Sequence, residues 1–226
     1  MTNYNLTQEQ IDAILFYTSG KCTRINRFLQ TEVWEPDRAD LRYHDFETKY
    51  NDTSYKELID IIYNILDAMV LSEEDLVVYR GSSEEDFYVY KYDDDLKEID
   101  FTSYISTSLS ESSASRFVKR VFYKLIISKG VPLIWTAPLE PNSEENEVLL
   151  SPAKFRIINE SRESSIDYYT LEYIEPLNFD QIINNLMTLK EVAKDKKNLA
   201  KIKELEETIE YVQNIQTEIK PQQRKQ

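Results

Sequence analysis

FTSYISTSLSESSASRFVKRVFYKLIIS, residues 101–128, decides the fold class. It opens with β-branched and aromatic residues, passes through a short helical pattern around SSASRFVKR, and returns to an apolar strand pattern in YKLIIS (123–128). The same strand character recurs on both sides: LVVYR (76–80) before it, and PLIWTA (132–137), EVLLS (147–151), KFRII (154–158) and YYTLEYI (168–174) after it, with turn residues bounding most of them. Ahead of this block the pattern is helical. Thr7 with Gln10, and Ser54 with Glu57, form capping-box signals before IDAILFY and LIDIIYNILDAMV, and TRINRFLQ (23–30) reads as a second short helix. A polar connection lies near residues 35–53. Helices first and strands afterwards predict an α+β domain rather than a doubly wound one.

After Pro176 the character changes again. Leu186, Leu189, Val192, Leu199, Ile202, Leu205, Ile209, Val212, Ile215 and Ile219 recur at three- and four-residue steps. They predict one long amphipathic helix, or two broken near KDKKN (194–198). We therefore divide the chain into a domain over residues 1–176 and a helical tail over 177–226. The stripe either packs on its own domain or, through residues 177–221, serves a helical partner or self-association.

Composition removes several classes of function. With three glycines there is no phosphate-cradling loop of the G-x-G-x-x-G or Walker A type, and with one histidine (His44) and one cysteine (Cys22) a His-based metal site, a zinc ribbon and a disulfide framework lack their parts. Forty-one Asp and Glu against 27 Lys and Arg give a net charge of −14, which repels nucleic acid and anionic membranes and favours basic protein partners. The sequence shows neither a signal-peptide pattern nor a membrane-length apolar run, so a reducing cytoplasm is the expected compartment.

Three separated pieces carry the chemistry. YRGSS places Arg80 at the end of one predicted strand, YISTSLS places Ser106, Thr107 and Ser108 at the end of another, and SEENEVLL (143–150) places Glu145 and Glu147 at the start of a third. Arginine grips a pyrophosphate through a bidentate fork, so a dinucleotide site can work without a glycine loop. A serine can orient a carboxylate. In an extended segment residues two apart share a face, so Glu145 and Glu147 can converge on one ligand. The tail's own E-x-E, Glu204 and Glu206, falls on a predicted helix, where a two-residue step diverges by about 200°. Taken singly, Arg80 reads as a surface strand residue, Phe117 as core and Arg120 as a helix-end cation.

The order Arg, Ser-Thr-Ser, Glu-x-Glu resembles the R-S-E class of mono-ADP-ribosyltransferases, which includes bacterial binary-toxin enzymes and phage and viral enzymes. The likeness runs over about residues 6–175: FYTSGKCTRINRFLQ resembles the family's N-terminal helix pair, VVYRGS its arginine strand, FTSYISTSLS its serine strand, SRFVKRVFYKLIISKG the helix and strand that follow, and ENEVLLSPAKFRI its catalytic strand and the next. The resemblance implies two packed, mainly antiparallel sheets with an N-terminal helical subdomain and a C-terminal helical appendage. It implies NAD as the substrate and no metal. Arg80 would hold the phosphates and the nicotinamide-side ribose, and Ser106 would brace Glu147, with Thr107 beside it. Phe117 would stack on the nicotinamide, Arg120 would add a second phosphate contact, and Gly81, Tyr17 and Asn26 would line the cleft.

By the same resemblance Glu147 would be the catalytic glutamate and Glu145 the residue that receives the acceptor, an accessible arginine of a basic target protein in its own or a host cell. Cleaving the N-glycosidic bond of NAD resembles glycoside hydrolysis, with an oxocarbenium-like transition state. Nicotinamide leaves neutral, so no general acid is required, which suits a site without histidine. Two departures stand out: Cys22 occupies a position where the family often has a tyrosine, and the turn LEPNSEE lacks the aromatic several relatives use on their targets. Other readings of the same residues are an NAD glycohydrolase, modification of an arginine of ubiquitin as the first step of a phosphoribosyl transfer, and a catalytically idle binding module acting through its tail.

Overall fold

A computed structural model describes residues 5–30, 54–82, 91–93, 95–139, 146–177 and 181–223, the side chains of 20–21, 91–93, 181 and 216–223 excepted. Both capping boxes form. The Thr7 hydroxyl accepts from Gln10 N–H (3.3 Å) at the start of α1 (Gln8–Phe16), and the Ser54 hydroxyl accepts from Glu57 N–H (3.2 Å) at the start of α3 (Tyr55–Asp67). Between them, one π-helical turn (Tyr17–Lys21) leads into α2 (Cys22–Leu29).

The strands are β1 (Val70–Leu71), β2 (Leu76–Ser82), β3 (Lys91–Asp93), β4 (Glu98–Phe101), β5 (Ile105–Ser108), β6 (Val121–Ile127), β7 (Pro132–Trp135), β8 (Glu147–Leu150), β9 (Ala153–Glu163) and β10 (Ile166–Pro176). The α+β class holds, and among the described residues every strand pair is antiparallel except β10 with β6. The two sheets are joined into one ladder, ordered β1-β7-β8-β5-β2-β6-β10-β9-β4-β3. The join is thin: β2 meets β5 at a single pair, Tyr79 with Ser108. On either side of it the half-sheets fold over a shared core, in which Ile105, Leu133, Val148 and Leu150 face Val78, Tyr123, Leu125 and Phe155.

Two expectations are corrected in detail. FTSYISTS is two strands: Phe101 ends β4 on β9, the chain bends at Thr102–Tyr104, and β5 pairs β8 in the other half. The helix expected around SSASRFVKR is only α4 (Glu111–Ser115), capped by the Ser110 hydroxyl, so Phe117 to Arg120 are turn.

Strand alternation assigns the two faces of the smaller half-sheet. Val148 and Leu150 point into the core shared with the other half, whereas Leu149, with Ile134 and Tyr104, meets the helices. Glu147 is in phase with Leu149 and therefore lies on the helical side.

The tail forms α5 (Gln181–Asp195) and α6 (Leu199–Gln223). The break falls within KDKKN: Lys197 is left-handed (φ 56°), and Asn198 N–H to Ala193 C=O (2.9 Å) with Lys197 N–H to Lys194 C=O (2.9 Å) makes a Schellman end. The Asn198 side chain then accepts from Lys201 N–H (3.2 Å) and starts α6. The apolar stripe packs on its own chain rather than waiting for a partner. Ile182, Leu186, Leu189, Ala193, Leu205 and Val212 are buried in one cluster with Ile14, Phe28, Leu58 and Ile62. Polar contacts fix the register. The Asn185 side chain, fully buried, donates to the Phe28 carbonyl (2.8 Å) and the Leu29 carbonyl (3.3 Å), satisfying the end of α2. Glu204 accepts from Tyr55 N–H (3.2 Å) and Glu206 pairs with Lys190 (2.9 Å), so the second E-x-E holds helices together.

Candidate active site

Where β2 and β5 part company beyond Tyr79–Ser108, a cavity of about 380 Å³ opens. Arg80 reaches across this gap. Its Nη1 donates to the Ser106 carbonyl (2.8 Å), an acceptor that a continuing ladder would have used for backbone. The hydroxyl of the same Ser106 donates to Glu147 Oε1. Ser106 thus links the guanidinium and the carboxylate through its own backbone and side chain. Glu147 is 9 % exposed, its Oε2 lies 3.5 Å from the Thr136 hydroxyl, and its backbone carbonyl receives the Thr136 N–H (3.1 Å). Thr107 donates to the Val148 carbonyl (2.6 Å) and locks β5 to β8.

Gly81 is required by close approach rather than by φ. A Cβ there would lie 2.4 Å from the Ala114 oxygen, 2.6 Å from Val118 N and 2.8 Å from the Phe117 carbonyl carbon. α4 and the turn after it therefore sit directly on β2, and this places the Phe117 ring, 53 % exposed, at the cavity mouth. The Ser82 carbonyl accepts both Lys119 N–H (3.3 Å) and Arg120 N–H (3.2 Å), pinning the far end of that turn.

The opposite wall comes from the N-terminal helices. The π-helical turn brings Tyr17, Thr18 and Cys22 to the cavity. Tyr17 packs edge-on against Tyr104 (5.7 Å), lies within hydrogen-bonding distance of the Tyr104 carbonyl (3.2 Å), and accepts from Asn26 Nδ2 (3.0 Å). Burial pushes the Tyr17 phenol far above its ordinary value, so it stays protonated. Asn26 stands behind Tyr17 as its orienting partner. Burial likewise raises the Cys22 thiol.

Of the residues singled out from sequence, Arg80, Gly81, Ser106, Thr107, Phe117, Glu147 and Tyr17 line this one cavity. Arg120 is engaged elsewhere: its Nε pairs with Asp167 (3.1 Å), which also receives Arg162 (3.5 Å). The neighbouring cation that lines the cavity is Lys119, which sequence reasoning passed over. Thr136 was also missed; its contact arises from the β7–β8 pairing, and no sequence spacing signals it. Glu145 lies outside the described residues. β8 begins at Glu147, and Asn146 before it is left-handed (φ 46°).

The model of the ADP-ribosyltransferase exoenzyme family matches residues 1–169. The chain belongs to that family. Solved structures of similar fold include Plx2a, an ADP-ribosyltransferase toxin from Paenibacillus larvae (TM-score 0.55, 19% identity, covering 75% of this chain and 88% of that one). A second is exoenzyme S from Pseudomonas aeruginosa, in complex with human 14-3-3 protein beta and bound to carba-NAD (0.54, 15%, 74% and 74%). A third is BECa, an ADP-ribosylating toxin of a binary enterotoxin of C. perfringens, with NADH (0.56, 20%, 75% and 44%). No curated protein matches the chain. The family match ends before α5, so the tail helices that cap α2 lie outside it. Among the described residues, no cluster of His, Cys, Asp and Glu is placed to hold a metal, and no helix is long and apolar enough to cross a membrane.

Proposed function

We propose that this member of the family transfers ADP-ribose from NAD to arginine side chains of a target protein and releases nicotinamide. The observation that carries the reading is the Arg80–Ser106–Glu147 chain at the floor of the cavity. Arg80 and Lys119 supply positive charge for the pyrophosphate, Phe117 offers a ring at the mouth for the nicotinamide, and Tyr17, held from behind by Asn26, forms the wall opposite. These residues suit a dinucleotide, and two structures of similar fold hold NADH or carba-NAD.

Glu147, oriented by Ser106 and Thr136, accepts a hydrogen bond from a ribose hydroxyl and stabilises the positive charge that grows at the anomeric carbon as the C–N bond breaks. The bonding pair leaves with neutral nicotinamide. An arginine nitrogen then forms the new C–N bond and gives up a proton, which Glu145 receives as general base. The partner is a protein with an accessible arginine, favoured when basic by the net charge of −14. We place the reaction in the cytoplasm of its own or a host cell.

The test is acceptor mapping. Incubation with NAD and an arginine-containing protein, followed by peptide mass spectrometry, should find the added ADP-ribose on arginine. The Glu145→Gln variant should lose that product while retaining nicotinamide release. Modification of other side chains alone would overturn the arginine assignment.

A further inference from the structure

The smaller half-sheet has a second concavity, on the face opposite Glu147. It is a groove of about 280 Å³ floored by Leu133, Trp135 and Val148, closed on one side by Leu76, and flanked by Leu71 and Leu109. Leu71 is 64 % exposed and Leu109 41 % exposed, so two large apolar side chains stand open to water at one place. Glu73 and Glu74, both exposed, form its rim in the turn between β1 and β2. The apolar floor with an acidic rim is complementary to an apolar side chain flanked by basic ones.

At one end the groove adjoins the active-site cavity along the chain. Ser108 and Glu147 line the cavity, and the residues that follow each of them, Leu109 and Val148, line the groove. The lip between the two is the end of the β5–β8 pair, closed by Leu109 N–H to the Asn146 carbonyl (3.2 Å). From that lip the groove runs along β7, from Trp135 back to Leu133, which pairs with Val70 of β1 next to Leu71. The length of β7 corresponds to roughly 10 Å, or about three residues of extended chain.

We propose that this groove docks an extended segment of the acceptor protein. An apolar side chain about three residues from the modified arginine seats between Leu71 and Leu109, and neighbouring lysines or arginines face Glu73 and Glu74. The inference rests on the transferase reading for the identity of the occupant, because the arginine must cross the lip to reach Glu147. It adds a sequence preference around the acceptor that the catalytic residues do not define.

Trp135 gives a direct readout. The chain has two tryptophans, so in a Trp34→Phe background Trp135 reports alone. A short synthetic peptide of leucine, lysine and arginine should shift its emission. Leu71→Asp, or Glu73→Lys with Glu74→Lys, should weaken that binding by about tenfold or more. Replacing the peptide leucine by serine should do the same, and raised salt should weaken the charge-dependent part. Nicotinamide release from NAD without acceptor is measured in parallel and should be unchanged in both protein variants.

An unshifted Trp135 emission, equal binding of the serine peptide, or equal binding by Leu71→Asp would overturn the proposal. So would a concentration-dependent dimer abolished by Leu71→Asp, which would assign the groove to a second copy of the chain. Failure of the transferase reading is distinguishable: the parent chain would then place no ADP-ribose on arginine in acceptor mapping, whatever the peptide does to Trp135 emission.

Discussion

Adding one methyl group at Gly81 tests whether the turn after α4 positions the substrate. The Cβ of Gly81→Ala would meet three backbone atoms at 2.4, 2.6 and 2.8 Å, and none of these can rotate away as a side chain would. The nearest contact is about 1 Å short of ordinary van der Waals distance, so α4 and the Phe117 turn must lift off β2 by that amount. Overpacking of this kind costs about 1–3 kcal/mol, which for a chain of this size lowers Tm by about 2–12 °C. The same lift carries Phe117 and Lys119 away from Arg80 and Glu147, and a misplacement of about 1 Å can cost up to a hundredfold in rate. Thermal unfolding and nicotinamide release from NAD, measured on the same preparation, should therefore both fall, with kcat/KM down by about tenfold to a hundredfold. A variant with unchanged Tm would refute the close approach. A lowered Tm with unchanged kcat/KM would refute the idea that this turn places the substrate.

The other predictions concern the cations, the tail and pH. Lys119→Ala should raise KM for NAD by about three- to tenfold, whereas Arg120→Ala, which breaks the Asp167 pair, should leave it within about twofold. The reverse ranking in steady-state kinetics would mean that Arg120 leaves Asp167 when NAD binds. Asn185→Ala leaves the Phe28 and Leu29 carbonyls buried without their donor and should cost about 2–4 kcal/mol in urea denaturation. Tyr211 donates to Asp60 (2.5 Å), and that bond, with burial, raises its phenol to about 12. The protonated phenol is the form the fold prefers. Its contribution is complete below the ordinary value of 10.0 and is lost as pH rises towards about 12. Melting curves between those pH values should show a loss in the parent chain that is smaller in Tyr211→Phe.

Much of the site could be read from the sequence because its parts sit at strand ends, where a short motif fixes both residue type and place. Arg80, Ser106 and Glu147 each lie within two residues of a strand end, and the sheet brings those ends together. The choice between Lys119 and Arg120 could not be read. They are adjacent, and which one faces the cavity depends on α4 stopping at Ser115 and on the Ser82 carbonyl gripping the turn. Thr136 reaches Glu147 only through the β7–β8 register, which no local pattern encodes. The tail's helices and their break at KDKKN were legible from periodicity and polarity. Their destination was not, since an amphipathic stripe is the same whether it covers its own domain or another chain. Asn185 and Glu204 settle that question, each a polar residue with a specific backbone partner on α2 or α3.

Glu147 offers the most direct test. Nicotinamide release and transfer of labelled ADP-ribose to protein should be measured in the parent chain and in Glu147→Ala, with circular dichroism showing that the variant is folded. Loss of a preorganised carboxylate at the charge-developing centre should reduce both activities by about a hundredfold or more. A folded Glu147→Ala chain that still cleaves NAD and labels protein at the parent rate would contradict the assignment of this cavity as the active site.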